Sequence, residues 1–233
     1  SQKDIVAGIF QDGTDNTARQ EIDGGKNLGH WSSQNVLFKI LDIDQDGEGN
    51  NAEQIITGSN SSAYILQYGD NNEAKEETNG NYNEVYIAQG LSQSYLWFNT
   101  PISDERGNNN TADIWQSGNN NKAALLQLGD NNVFEMKQYG DDNVSLFMQN
   151  GDGNEVMGVN NTDNTAEGLT YNGSRAAKQF NGSSLFGWQS GDNNKIGLRQ
   201  GKDDSAFIAQ NGDRNEALLY QIGGQAHSQT IMQ

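Results

Sequence analysis

One feature constrains this chain more than any other: an eleven-residue cassette, Q-x-G-x-x-N-x-A-x-x-x. In its clearest run, Gly107, Gly118, Gly129, Gly140 and Gly151 recur eleven residues apart. Asn110, Asn121, Asn132, Asn143 and Asn154 each follow three residues later, and Gln116, Gln127, Gln138 and Gln149 open the later cassettes. An in-phase run starts at Gln45 and carries Gln67 and Gln89, with Gly47, Gly58, Gly69 and Gly80 and then Asn50, Ser61, Asn72 and Asn83. Near the C-terminus Gln189, Gln200, Gln210 and Gln221 alternate spacings of eleven and ten, with Gly191, Gly212 and Gly223, and with Asn194, Ser205 and Asn215. Lys202 interrupts the glycine slot there, and one N-terminal cassette reads Gln11, Gly13, Asn16, Ala18. A fixed period of this kind is the signature of units that bury their faces only by stacking on one another. Residues 23–44, 90–104 and 157–178 fall out of register. They read as insertions or degenerate cassettes in a single solenoid spanning 1–233. Pro101, the only proline, lies in the second, where it costs no ladder hydrogen bond.

The cassette predicts its own local structure. The second residue after each Asn is small or apolar, as in Ala52, Ala74, Ala112, Ala123, Phe134 and Val156. The fourth is often apolar, as in Ile65, Ile87, Ile114, Leu125, Met136 and Phe147, and the sixth is commonly Gln. Even offsets sharing one face is strand periodicity. The G-x-x-N step predicts a tight turn, with Gly at positive φ and Asn in or near the left-handed region. Strand, turn, strand, turn makes a 22-residue coil with two arms. Stacked coils place like residues above one another at about 4.8 Å, so that Asn and Gln form amide ladders. The expected fold is all-β: a two-arm β-solenoid of nine or ten coils.

Composition fits that fold and excludes others. Only 33% of the 233 residues are hydrophobic and only 19% are charged, so amides and 28 glycines carry the polarity. A chain this polar needs buried amides that satisfy one another. There is no cysteine, which excludes disulfides and thiolate metal sites. The net charge of -17 argues against a nucleic-acid partner, and no apolar run is long enough for membrane insertion. No helical cap precedes Gln233, and an uncapped coil exposes a strand edge that templates the next molecule. The expectation is head-to-tail, cross-β self-assembly.

At this point the residues resemble a known family. The cassette is similar to the curlin repeat, S-x5-Q-x-G-x-x-N-x-A-x3-Q. Ser61, Gln67, Gly69, Asn72 and Ala74 fit it, with Thr78 in the closing Gln slot, and so do Asn110, Ala112, Gln116, Gly118, Asn121, Ala123 and Gln127. The resemblance implies a secreted bacterial subunit of curli, an extracellular amyloid fibre that serves as biofilm matrix and adhesin. It also implies a nucleator subunit and a secretion channel as partners beside the chain itself. The chain departs from the best-known members in its extra cassettes and insertions. The contrasting reading is a monomeric β-solenoid adhesin that uses calcium.

Other motifs are weighed against this frame. Asp42, Asp44, Asp46, Gly47 and Glu53 match the EF-hand loop pattern, which makes calcium the one candidate cation; no other cofactor is expected. Gly49 stands where that loop usually has an apolar residue. Acidic turns such as Gly129-Asp130 and Gly191-Asp192 read as gatekeepers. The carboxylate pairs Glu76–Glu77 and Asp203–Asp204 read as solubilising. His30 and His227 are too far apart in the chain to build a Ser-His-Asp site, so no enzyme is expected. Tyr86, Trp115 and Tyr220 are expected to face outward, as is the apolar group Val144, Leu146 and Met148.

Overall fold

The computed structural model describes residues 7–23, 41–90, 107–161, 169–172, 177–180, 182–221 and 227–233. His30, Pro101 and Gly223 lie outside the described residues, as do most of segments 23–44 and 90–104 and half of segment 157–178.

Among the described residues nineteen strands form two sheets. The first sheet has the order β1 (Ala7–Thr14), β3 (Leu41–Glu48), β5 (Ser62–Tyr68), β7 (Glu84–Gln89), β9 (Lys122–Leu128), β11 (Val144–Asn150), β15 (Ser184–Ser190), β17 (Ser205–Asn211), β19 (Ser228–Met232). The second is built from β2 (Thr17–Asp23), β4 (Asn51–Thr57), β6 (Glu73–Asn79), β8 (Thr111–Ser117), β10 (Val133–Tyr139), β12 (Glu155–Asn161), β14 (Ala177–Phe180), β16 (Lys195–Lys202) and β18 (Glu216–Tyr220). β13 (Leu169–Asn172) runs antiparallel beside β12; every other pairing is parallel. The chain thus alternates between two facing parallel sheets, the β-solenoid that the cassette predicts. At about 4.8 Å per rung its nine described rungs span roughly 40 Å.

Alternation within each strand explains why these segments are strands. In β10, Phe134, Met136 and Gln138 are buried while Val133, Glu135, Lys137 and Tyr139 are half-exposed. The inward residues of both sheets form one continuous core, from Ile43 and Ile65 through Leu125 and Phe147 to Ile208. Phe134 and Phe147 meet across it with ring centroids 5.8 Å apart. Each fully buried aliphatic or aromatic side chain contributes about 1.5–3 kcal/mol.

Neighbouring rungs are not always 22 residues apart. Gln45 meets Gln67 at that spacing, but Gln11 meets Gln45 across 34, Gln89 meets Gln127 across 38 and Gln149 meets Gln189 across 40. Register is kept across each longer interval. The last of these intervals contributes two strands to a single rung. Val133 and Phe134 of β10 pair with Glu155 and Val156 of β12, whereas Met136 to Tyr139 pair with Ala177 to Phe180 of β14. β12 turns aside at Gly158 to pair with β13, and β14 completes the rung. β16 pairs with both halves and absorbs the join as an irregularity between Lys178 and Phe180.

Candidate functional site

The first sheet carries an unbroken row of nine glutamines: Gln11, Gln45, Gln67, Gln89, Gln127, Gln149, Gln189, Gln210 and Gln233. Each Nε2 donates to the next Oε1 at 2.7–3.0 Å, always in the same direction along the axis. The second N–H goes to a backbone carbonyl of the facing arm, as from Gln127 to Thr111 and from Gln149 to Val133. Glutamine suits this slot because one primary amide supplies two donors and an acceptor at the end of a reach long enough to cross the core.

The second sheet has its own row, Gln116, Gln138, Gln179, Gln200 and Gln221, linked at 2.7–3.3 Å. Gln20 and Gln54 pair at 3.0 Å two residues earlier in their strands. Sequence spacing therefore singled out glutamines that belong to two separate rows. It passed over Gln11 and Gln233 as ladder members, and over Gln20, Gln54 and Gln179, whose cassettes are degenerate.

Asparagine forms a row at each turn edge. One runs Asn16, Asn50, Asn72, Asn110, Asn132, Asn154, Asn194, Asn215; each Oδ1 accepts the backbone N–H of the next Asn at 2.9–3.1 Å. Several Nδ2 groups donate to the turn glycine carbonyl one rung on, as from Asn50 to Gly69 and from Asn110 to Gly129. The other row holds Asn83, Asn121 and Asn143, with Ser61 and Ser183 as its hydroxyl members. These asparagines are buried except Asn16 and Asn215 at the ends of their row, and the left-handed residue is the one before them: Asn71, Asn109, Asn120 and Asn131, for example, have φ near +57°. The slot Asn itself is not at positive φ.

The turn glycines Gly47, Gly58, Gly69, Gly80, Gly118, Gly129, Gly140, Gly151, Gly191 and Gly212 have positive φ. At Gly118, with φ +120°, a Cβ would lie 2.1 Å from the Gly140 carbonyl oxygen of the next rung. Gly107 is not among the positive-φ residues, yet a Cβ there would lie 2.6 Å from the Gly129 oxygen.

The two outer faces differ. That of the first sheet is largely apolar: Tyr64 stacks on Tyr86 with centroids 5.4 Å apart, Leu146 and Met148 pack beside Leu126, and Trp188 meets Phe207 edge-on at 5.2 Å. The outer face of the second sheet carries charges, with Lys75 3.3 Å from Glu53, which also pairs with Arg19. Trp115 packs against Tyr139, and Arg199 lies over the rings of Phe180 and Tyr220.

The acidic motifs take unexpected places. Asp42, Asp44 and Asp46 alternate along the outer face of β3, while Glu53 lies on β4 in the opposite sheet. The EF-hand-like spacing is therefore not a loop around one cation, because strand and turn geometry sends its ends to opposite faces. Among the described residues no group of three or more His, Asp or Glu is arranged to hold a metal ion. Asp130, Asp152, Asp192 and Asp213 stack at one turn edge, each Oδ1 accepting a backbone N–H from the preceding rung. Glu76 and Asp204, read from sequence as solubilising, are both fully buried. Asp204 fills an Asn slot and holds the terminal strand through His227, Nδ1 to Oδ1 2.9 Å.

The arrangement presents amide ladders and strand edges. The family model of the curlin associated repeat matches residues 107–140, from the turn before β8 to the turn after β10. No curated protein matches the chain's sequence. The curlin repeat is a structural, non-enzymatic unit. The matched segment contains members of both glutamine rows and both asparagine rows, so the stretch that resembles the curlin associated repeat is one part of a longer β-solenoid of the same design.

Proposed function

We propose that this chain is a structural subunit of a curli-type extracellular amyloid fibre, one solenoid over residues 1–233, that polymerises by templating at its strand edges. The observation that supports this most is the polarity of the first-sheet glutamine row. Every member donates in one direction, so the row has an acceptor side at Gln11 and a donor side at Gln233. An incoming rung with glutamine in register continues both the backbone ladder and the amide row, as each internal rung already does. In this reading the ladder residues are the functional residues, because the structure is the function. Secretion to the cell surface, a nucleating partner and a dedicated outer-membrane channel follow from the curlin resemblance, and the fibre acts as biofilm matrix and adhesin.

Electron microscopy of the purified chain, with and without a calcium chelator, tests the proposal. The expected outcome is unbranched fibres in both, with a cross-β reflection at about 4.7–4.8 Å and a lag that preformed fibre fragments abolish. A chain that stays monomeric at high concentration and ignores seeds overturns fibre assembly and leaves a monomeric solenoid adhesin.

A further inference from the structure

The glutamine column of the second sheet changes position once. In β2 and β4 it is the fourth residue of the strand, Gln20 and Gln54; from β8 onward it is the sixth, beginning with Gln116. Strand β6 lies between the two patterns and has glutamine at neither place. Glu76 stands between Gln54 and Ile114, and Thr78 between Ile56 and Gln116. Both are buried. Among the described residues five buried side-chain polar atoms lack a hydrogen-bond partner, and four are here: both carboxyl oxygens of Glu76, Thr78 Oγ1 and Gln116 Oε1. Gln54 donates instead to the Asp42 carbonyl, at 2.9 Å.

A carboxylate in this position has lost its water and gained no donor, so the neutral acid is strongly favoured there. Burial pushes the Glu76 carboxyl well above its usual range, and the charge of Glu77 adds to this. The Thr78 hydroxyl works the other way without closing a hydrogen bond. Among the described residues no titratable group pairs with Glu76 on the inner face of the strands beside it. Its inward neighbours are Gln54 and Ile114, and the facing sheet contributes Ile43, Ile65 and Ile87 to the core. Glu53 on β4, Lys75 and Glu77 on β6 and Asp113 on β8 alternate to the outer face. The first sheet is continuous at the same level, with Gln45, Gln67 and Gln89 joined at 2.7 and 2.9 Å.

We propose that β6 is a proton-dependent latch: with Glu76 neutral the second sheet is continuous through β4, β6 and β8, and ionisation of Glu76 opens it there while the first sheet stays zipped. The rod then has a hinge between the block ending at β4 and the block beginning at β8. The sign follows from linkage. The closed state holds the proton more tightly than the open one, so the latch is shut below the ordinary glutamate value of 4.5 and loosens as pH rises above it. This inference rests on the solenoid and not on fibre assembly.

Peptide-resolved hydrogen exchange of the folded chain tests it, corrected for intrinsic rates and followed from pH 4 to pH 8. In the wild type, protection of β6 should fall by up to about tenfold per pH unit above the ordinary glutamate range, with β5 and β7 unchanged. Glu76→Gln should remove that slope. Glu76→Ile, which continues the apolar position of Ile114, should remove it as well and serves if the glutamine variant does not fold. Equal slopes in wild type and both variants, or no slope in any of them, overturns the proposal. Because exchange is read on the folded chain itself, failure to form fibres leaves the result readable.

Discussion

Gln89 donates its Nε2 proton to Oε1 of Gln127 at 2.9 Å, although 38 residues separate them where Gln67 and Gln89 are 22 apart. The pair shows what the fold demands when the interval between rungs lengthens: glutamine still stands beside glutamine.

The row is cooperative in the sense that each amide completes two others. Gln127 accepts from Gln89 and donates to Gln149 and to the Thr111 carbonyl. Gln127→Leu fits the apolar surroundings but strands buried partners on three sides. At about 1–3 kcal/mol for each unsatisfied group, the variant should lose on the order of 3 kcal/mol or more. Guanidinium unfolding read by circular dichroism checks this, and a loss below about 1 kcal/mol would deny the row its structural weight.

Tyr82 is a left-handed residue, with φ +59°, in a turn column where Asn60 and Asn120 hold the same conformation. A bulky side chain there costs roughly 1–2 kcal/mol relative to a permissive one, and Tyr82 is 57% exposed, so its ring recovers little. Tyr82→Asn should therefore stabilise the chain by about 1 kcal/mol, visible as a higher unfolding midpoint.

Ser145 sits inward in β11 between Ala123 of β9 and Leu185 of β15, and its hydroxyl has no hydrogen-bond partner. Ser145→Ala removes an unsatisfied buried group without opening a cavity. An increase in stability of about 1 kcal/mol is expected. A decrease would mean that the hydroxyl finds a partner in solution.

Asp42 stacks beside Tyr64 on the outer face of the first sheet, and burial, then the charge of Asp44, raises its pKa to about 6. The folded state thus prefers Asp42 protonated, and stability falls as pH rises from the ordinary aspartate value of 3.8 through about 6. Asp42→Asn should match the wild type at pH 3 and exceed it at pH 7. Coincident stability curves at both values would show that Asp42 stays hydrated.

The sequence by itself determined the repeat, the strand-turn-strand coil and the inward set at even offsets, because a stack of like rungs writes its period directly into the chain. It also marked Thr78 as a departure in the closing Gln slot. It did not reveal that Glu76, two residues earlier, is buried, or that Gln20 and Gln54 occupy a different column from Gln116. Inward and outward are set by register against neighbouring rungs, and that register is hidden wherever the chain detours. Asp42 to Glu53 shows the same limit: twelve residues that match a cation-binding loop in one dimension are divided by a turn between two sheets. Tertiary structure alone decided which copies stack on which, that β12 and β14 share one rung, and where unsatisfied polar atoms gather. Such features depend on contacts between residues 22 to 41 positions apart, and no local pattern encodes them.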